Sequence, residues 1–408
     1  MAVQDIAHNA TQEPSKASLL YDPKVRAIIS QVLLILLIAW MGYEIVTNAV
    51  TNLAKQNIAS GFGFLNNTAG FGIIQTLIPY SETSSYGRAF LVGLFNTLLV
   101  AIIGIVLATI VGFLLGVARL SKNFVISTLA TCYVEIIRNI PLLLQLFFWY
   151  FAVLRAVPDK RDRWSFLFDT LQLNIMGLRG PAPVFEPGSS FTVWAFVIGV
   201  IASIVFSRWA HKRQEATGQQ YPVLYASLGL IIGLPFFVFL VTGMPISLEY
   251  PVFNDTGPLL RRGFESGVGF VVIPEFLALL LALTIYTAAF IAEIVRAGIL
   301  AVSHGQTEAS YALGLRSGQT LRLVVIPQAM RVIIPPLTSQ YLNLTKNSSL
   351  AVAIAYPDLV SVFAGTVLNQ TGQAVEVLLI TMAVYLTISL LTSTFMNWFN
   401  SRVALVER

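Results

Sequence analysis

Charge is scarce in this chain of 408 residues: Asp, Glu, Lys and Arg together make up 11 %, against roughly 25 % in a soluble domain. Thiols are scarcer still. Cys132 is the single cysteine, so an internal disulfide framework is excluded and the redox compartment is unreadable. His8, His211 and His304 are scattered along the chain and form no metal-ligand cluster with it. A Ser-His-carboxylate hydrolase would have to use one of those three histidines, and none sits in a reactive context. No GxxxxGK[ST] run occurs and no lysine follows a glycine, which excludes a P-loop ATPase in this polypeptide. Strand-length segments alternating apolar and polar residues are missing too, which argues against a transmembrane barrel.

What the chain has instead is apolar sequence. Hydrophobic residues make up 56 % and mean hydropathy is +0.75. Runs such as "LLVAIIGIVLATIVGFLLGV" reach the ~18 to 20 apolar residues that cross a bilayer as helix. The expectation is an all-α polytopic membrane protein of about eight transmembrane helices. They lie near Ala27 to Val46, Ala89 to Val117, Val125 to Leu154, Thr192 to Phe206, Val223 to Val241, Val271 to Ile291, Ala329 to Ala355 and Val375 to Trp398. The N-terminus, Met1 to Asp22, is polar and precedes the first apolar run, which has no small-residue cleavage site after it, so that span reads as a retained anchor and not a signal peptide.

The net charge of +5 does not point to nucleic acid, because the basic residues fall in short loops between apolar runs, as the positive-inside rule expects. Lys16, Lys24 and Arg26 before the first span, Arg119 and Lys122 after the second, and Arg208, Lys212 and Arg213 after the fourth share one side. That side is cytoplasmic. Alternation then puts both termini and the segment 303–329 in the cytoplasm. The other side receives the longer loops Thr47 to Arg88, Arg155 to Phe191 and Gly243 to Phe270, read as irregular. "RAVPDKRDRW" in the second of these is basic on the wrong side.

Several polar groups stand inside apolar runs. The seventh span holds a Pro-Pro pair together with Asn343, Lys346, Asn347, Ser348 and Ser349. Lipid cannot satisfy such groups. Either the span is broken and lines a watery path, or it ends early and a surface loop starts at Lys346. Glu135 with Arg138, and Glu293 with Arg296, are spaced i, i+3 and predict ion pairs on one helix face. They read as interfacial anchors or as part of a translocation pathway. Pro141 predicts a break after the helix carrying Glu135. Gln145, alone among Leu and Phe, needs a partner on a neighbouring helix or on a substrate.

The segment "SHGQTEASYALGLRSGQTLRLVVIPQA" (Ser303 to Ala329) reads as two short helices. Ser303 with Gln306 fits a capping box, Ala309, Ala312 and Leu313 form an apolar stripe, and Gly314 suits a left-handed helix end. Ser317 then reads as a second N-cap, with Leu321, Val324 and Val325 as the next stripe and Pro327 as its break. Geometry alone leaves a passive interfacial connector as an alternative.

The order Glu308-Ala309-Ser310, Gly314, nine residues, then "VVIP" ending at Pro327 resembles the coupling-loop motif of ABC-importer permeases, Glu-Ala-Ala, Gly and Ile-x-Leu-Pro. Ser310, Val324 and Ile326 depart from it conservatively. "YVEIIRNIPLLLQLFFWYF", "YTAAFIAEIVRAGILAVSHGQTEAS" and "KNSSLAVAI" are similar to segments of polar amino-acid permeases of this class, and above all to the Q-type subunits of general L-amino-acid importers.

The resemblance implies a type I importer core of five helices, 88–154 and 271–408. Added to it are an N-terminal helix and loop (25–87), a tail (1–24) and an inserted segment with two helices (155–270). It further implies ATP-driven import of L-amino acids across a bacterial inner membrane by alternating access, with no enzymatic activity in this chain. ATP and Mg would be bound by a partner ATPase dimer, beside a second permease in a heterodimer, a periplasmic amino-acid-binding protein and membrane lipid. Gln306, Glu308, Ala309, Ser310, Gly314 and Pro327 would couple to the ATPase. Glu135, Arg138, Gln145, Glu293, Arg296, Lys346, Asn347, Ser348 and Ser349 are the candidate pathway residues. Two other classes compete with this reading: an ion-coupled secondary transporter using Glu135, Glu293 and Lys346, and a membrane enzyme, for which no nucleophile and base face each other.

Overall fold

The computed structural model describes residues 23–55, 61–255, 262–265 and 268–403. The expectations for the tail 1–22 and for 404–408 lie outside them. In chain order the helices are α1 (Pro23–Lys55), α2 (Tyr86–Arg119), α3 (Phe124–Asn139), α4 (Leu142–Ala156), α5 (Ser189–Thr217), α6 (Val223–Leu228) and α7 (Leu234–Val241). They continue with α8 (Pro274–Leu300), α9 (His304–Ala312), α10 (Ser317–Thr320), α11 (Ile326–Asn347), α12 (Leu368–Thr371) and α13 (Ala374–Val403). Among the described residues seven helices are long and apolar enough to cross a membrane, eight when the bent pair α3–α4 counts as one span.

Small residues bring the central helices together. Without a hydrophobic driving force between helices in lipid, close backbone approach sets the interface. On α2 the buried positions include Gly93, Ala101, Gly104, Ala108, Gly112 and Gly116, a row repeating close to every fourth residue. A Cβ on Gly112 would lie 2.6 Å from the Ile291 side chain of α8, and one on Gly116 would lie 2.7 Å from Val295. Gly104 meets Leu344 of α11 in the same way, at 3.3 Å. The helices α2, α4, α8 and α11 therefore share one core containing Val100, Leu146, Leu279, Leu283, Ile291, Ile333 and Leu344.

The third predicted span is two helices. α3 and α4 meet at a 107° bend, because Pro141 provides no N–H and Ile140 is extended. In the seventh, by contrast, α11 runs straight through Pro335 and Pro336, and the chain tightens to 3₁₀ turns over Ser348–Ile354. Ala355 then adopts a left-handed conformation at φ 58°. A wide π turn (Val360–Val367) and α12 lead back to α13, so the connection 355–373 folds against the ends of α2 and α13 and does not span.

The loops on that face are more ordered than their sequence suggests. Residues 61–85 form a strap held by α2 and the 355–373 connection. Asn96 donates to Gln75 O (2.9 Å) and Pro357 O (2.8 Å), the Gly61 N–H donates to Glu376 Oε1 (2.6 Å), and Phe64 stacks on Phe363. The described residues of the stretches expected to be irregular on either side of α5–α7 carry eight short strands, so the chain is mostly helical and not purely so. β1 (Trp164–Phe166), β2 (Leu171–Asn174), β3 (Gly177–Gly180) and β8 (Phe270–Val272) form one antiparallel sheet. β4 (Ala182–Phe185) pairs with β5 (Ile246–Glu249), and β6 (Phe253–Asn254) with β7 (Gly263–Phe264). These strands hold two to four residues each, too short for an alternation pattern to register.

The helices α5, α6 and α7 form a hairpin of their own. On α5, Thr192, Ala195, Gly199 and Ser203 are buried, and a Cβ on Gly199 would lie 2.1 Å from Leu230 O in the π turn (Gly229–Gly233) between α6 and α7. The "RAVPDKRDRW" exception also has a local explanation. Arg163 lies over the Phe253 ring at 4.5 Å, and Asp159 and Asp162 accept the next residue's backbone N–H. Arg163, Asp159 and Asp162 are thus used within the fold.

Candidate functional site

The segment between α8 and α11 forms the predicted helix pair, with different caps. Ser303 precedes α9 but its hydroxyl caps nothing. Gln306 instead accepts a hydrogen bond from the Gln328 amide at 3.1 Å, tying α9 to α11. Gly314 takes the left-handed turn expected of it, at φ 78°. Arg316, not Ser317, is the N-cap of α10, where its N–H donates to Gln319 Oε1 at 3.0 Å. Pro327 does not end a helix. A π turn (Leu321–Val325) precedes it, and α11 starts there, where a missing N–H costs nothing.

The predicted apolar stripe of α9 faces outward. Ala309, Ala312 and Leu313 are exposed, Leu313 at 81 %. Tyr311, Leu321, Leu323 and Ile326 are exposed beside them. The buried residue is Ser310, whose Oγ is hydrogen-bonded to Thr307 O (2.7 Å) and to Thr320 Oγ1 (3.0 Å), joining α9 to α10. Glu308 is exposed and paired with His304 at 3.0 Å. The result is a rigid two-helix platform with one carboxylate and several apolar side chains on its free surface.

Beneath that platform the ends of α2, α3 and α8 meet in a charged cluster. Glu293 and Arg296 form the predicted pair, Arg296 Nη2 donating to Glu293 Oε1 at 2.7 Å. The Glu135–Arg138 pair does not form. Glu135 lies 3.6 Å from Arg119, and Arg138 sits over the Phe290 ring at 5.2 Å. Arg119 also donates to Glu293, so one guanidinium at the end of α2 bridges carboxylates on α3 and α8. Sequence reasoning had counted Arg119 only as a topology signal; its partners are up to 174 residues away.

Gln145 is buried, and its amide donates to Ile137 O and Ile140 O, each at 2.9 Å. Both carbonyls lie where α3 ends, Ile137 O otherwise holding only a long bond from the Ile140 N–H at 3.4 Å, so Gln145 staples the bend from the first turns of α4. The remaining pathway candidates flank a cavity of about 460 Å³, open to one side, between α11 and α13. Lys346 and Ser349 line it with Val360, Thr381, Met382, Tyr385, Leu386 and Ser389. Asn347 is half-buried on the same turn, and Ser348 is buried, its hydroxyl donating to Thr345 O at 2.7 Å. The structure thus brings Lys346 and Ser349 together with residues of α13 that the sequence did not single out, and leaves Glu135, Arg138, Glu293 and Arg296 in a separate cluster.

Behind the cavity wall lies a second feature missed in sequence. Asp358 is fully buried. It accepts the Ser361 N–H at 2.8 Å and the Tyr385 hydroxyl at 3.5 Å. It stands in the connection between the last two spans, and burial pushes its carboxyl up to about 7. A lone acid after Pro357 in the run "AYPDLVSVF" was the available signal.

Comparison with known proteins agrees with this architecture. The family described as binding-protein-dependent transport system inner membrane component matches residues 219–405. The chain is 53 % identical over 394 residues to the general L-amino acid transport system permease protein AapQ of Rhizobium johnstonii, covering 96 % of this chain and 95 % of the relative. It is 50 % identical to the putative amino-acid ABC transporter permease protein YhdX of Escherichia coli K12, over 95 % of this chain and 96 % of that one. It is 42 % identical to the glutamate/glutamine/aspartate/asparagine transport system permease protein BztB of Rhodobacter capsulatus, over 97 % and 99 %.

Proposed function

The chain belongs to the family of binding-protein-dependent transport inner membrane components, the permease subunits of ABC importers, and on that footing we propose how it moves its substrate. Such subunits hydrolyse no ATP themselves, and an ATPase and a substrate-binding protein are their partners. The substrate is an L-amino acid, the class that the similar permeases are named for. The core is formed by 88–154 and 271–408, with 25–87 and 155–270 as additions. A second permease completes the membrane pair, and both termini face the cytoplasm.

The observation that carries the coupling reading is the outward-facing apolar surface along α9, its C-terminal turn and the π turn that follows α10. An exposed apolar surface of Tyr311, Leu313, Leu321 and Leu323 around Glu308 is unfavourable in water and marks a protein contact. The ATPase dimer grips it. Ser310 and Gln306 act differently from Glu308, Ala309 and Gly314: they brace the platform internally and to α11, and Pro327 starts the span that it moves. The cluster around Arg119 holds the base of α8, so displacement of the platform moves α2, α3, α8 and α11 together. Two arrangements of these helices, each favoured by one state of the ATPase, are what alternating access requires.

The cavity between α11 and α13 is where the amino acid passes. Its volume lies within the roughly 300–1,000 Å³ of small-molecule sites, Lys346 supplies a cation for the carboxylate, and Val360, Met382 and Leu386 accept varied side chains. The test is uptake in vesicles carrying the full complex. Deleting "EASYALG" (308–314) is expected to abolish uptake and ATPase co-purification while leaving the protein inserted, and Glu308→Lys is expected to uncouple transport by reversing a docking charge. Retained ATPase binding and uptake in the deletion would overturn the coupling assignment. An ion-coupled carrier would show gradient-driven uptake with this chain alone; none is expected.

A further inference from the structure

We propose that the Asp358–Tyr385 pair forms the ammonium seat of the α11–α13 cavity, so that the cavity reads the zwitterionic end of an amino acid and not its side chain. This inference rests on the reading of that cavity as a substrate site.

The cavity lining holds two polar groups of opposite character. In one, Lys346 is exposed, with Ser349 beside it; an ammonium there attracts a carboxylate. In the other, Tyr385 contributes to the wall while its hydroxyl is anchored behind by Asp358. Hydrogen-bond accounting fixes the direction of that anchor. Thr97 donates to Gly93 O at 3.0 Å and Ser348 donates to Thr345 O at 2.7 Å, so both nearby hydroxyls have committed their protons to helix carbonyls. Asp358 is the acidic acceptor for the Tyr385 proton. An aromatic ring with a carboxylate behind it is a favourable neighbour for an ammonium group, through the ring quadrupole and through the residual negative charge.

Asp358 is held firmly enough to act as a positioning residue. Its neighbour Leu359 donates its N–H to Thr97 Oγ1 at 3.0 Å. A Cβ on Gly93 would lie 3.0 Å from Leu359 Cα and 3.1 Å from Asp358 O, so α2 rests directly on this backbone. Among the described residues the groups facing the carboxylate include no cation: α2 contributes Gly93, Asn96 and Thr97, and the titratable neighbours are Tyr356 and Tyr385. No lysine or arginine among the described residues is paired with Asp358, so its charge remains available to a cation arriving in the cavity. The remaining wall is uncharged: Val360, Met382 and Leu386 are apolar, and Thr381 and Ser389 carry hydroxyls. Nothing charged is left to select a side chain, which suits broad amino-acid specificity.

The test is equilibrium binding of radiolabelled L-alanine to the purified permease–ATPase complex without its binding protein, with propionate as the competitor that lacks the ammonium group. Asp358→Asn keeps a hydrogen-bond partner for Tyr385 and removes only the charge. It is expected to weaken alanine about tenfold or more, the loss typical of a charged interaction, while leaving competition by propionate unchanged. Tyr385→Leu is expected to do the same, and Lys346→Met to weaken both ligands. Wild-type affinity for alanine should rise with pH through about 7 as Asp358 ionises, and that dependence should vanish in Asp358→Asn. Unchanged alanine affinity in Asp358→Asn and Tyr385→Leu, with loss in Lys346→Met, would overturn the ammonium seat and keep the cavity. Absence of alanine binding to the wild type, or indifference to Lys346→Met as well, would overturn the cavity reading itself.

Discussion

Replacing Glu293 by Gln is expected to cost far more than replacing Glu135 by Gln, although both carboxylates contact Arg119. The Arg119 side chain is 9 % exposed, and its Nε has no partner. Glu293, 28 % exposed, receives hydrogen bonds from both Arg119 and Arg296. Removing its charge leaves Arg119 with Glu135 alone, at 3.6 Å. Breaking a buried pair from one side costs about 3–5 kcal/mol, and partial exposure of Glu293 points to the lower end. Glu135 is 58 % exposed, in the range where ion pairs contribute less than about 1 kcal/mol. Unfolding of the purified protein in mixed micelles, titrated with a denaturing detergent, measures the difference. The double variant Arg119→Met with Glu293→Gln should lose less than the sum of its parts, because each removes the same contact. Because α8 leads into the platform through Ala301–Ser303, Glu293→Gln should also lower uptake per ATP hydrolysed. Equal costs at Glu135 and Glu293, or additivity in the double variant, would refute the bridging role of Arg119.

Three further outcomes follow from the geometry. Gly116→Val puts branched carbon where 2.7 Å separates a bare Cβ from Val295, and overpacking of about 1–3 kcal/mol should appear as a lower unfolding midpoint, whereas Gly318→Ala, with open space around it, should change nothing. Gln145→Leu removes the amide donor from the Ile137 and Ile140 carbonyls at the α3–α4 bend; a loss of about 1–3 kcal/mol is expected, with Gln145→Glu restoring only part of it because a buried, protonated carboxyl has a single O–H to donate where the amide gives two hydrogen bonds. Asp358 sets a pH dependence whose sign can be worked out. Its folded-state value, about 7, is raised above the ordinary 3.8, so the stability it contributes is fully present below about pH 4 and is lost as pH rises through 7. Melting temperature should therefore fall between pH 5 and 8 in the wild type, and this component should be missing in Asp358→Asn.

The fold was legible wherever the signal was local and repeated. Apolar run length gave the spans, Pro141 gave the break between α3 and α4, and Gly314 gave a helix end that only a residue tolerant of positive φ fills well. Pro335 and Pro336 misdirected in the opposite sense, because α11 is long enough and sufficiently embedded to carry two missing donors. The strands escaped notice since two to four residues cannot show a period of two. The capping box at Ser303 does not form because Gln306 turns to Gln328 on α11, and at the next helix Gln319 pairs with the Arg316 N–H, which moves the cap one residue ahead of Ser317.

The site was legible only in part. Lys346 and Ser349 stood out as polar residues in an apolar run, and so did Glu293 with Arg296. Arg119, Asp358 and Tyr385 owe their roles to partners on other helices, and a pattern read along one helix does not reveal a bridge to another. Glu135 and Arg138 show the reverse error. Their i, i+3 spacing permits a pair, but Arg119 and the Phe290 ring compete for them more effectively.

The central claim is that the exposed face of α9 and α10 is where the ATPase holds this chain. A photo-crosslinking residue placed at Leu313, 81 % exposed on that face, tests it in the assembled transporter, with the same residue at Leu390 of α13, 59 % exposed on an apolar span, as the comparison. The account predicts a covalent adduct between position 313 and the ATPase subunit and none from position 390. An actively transporting complex with no adduct at 313, or with equal yields at both positions, would contradict it.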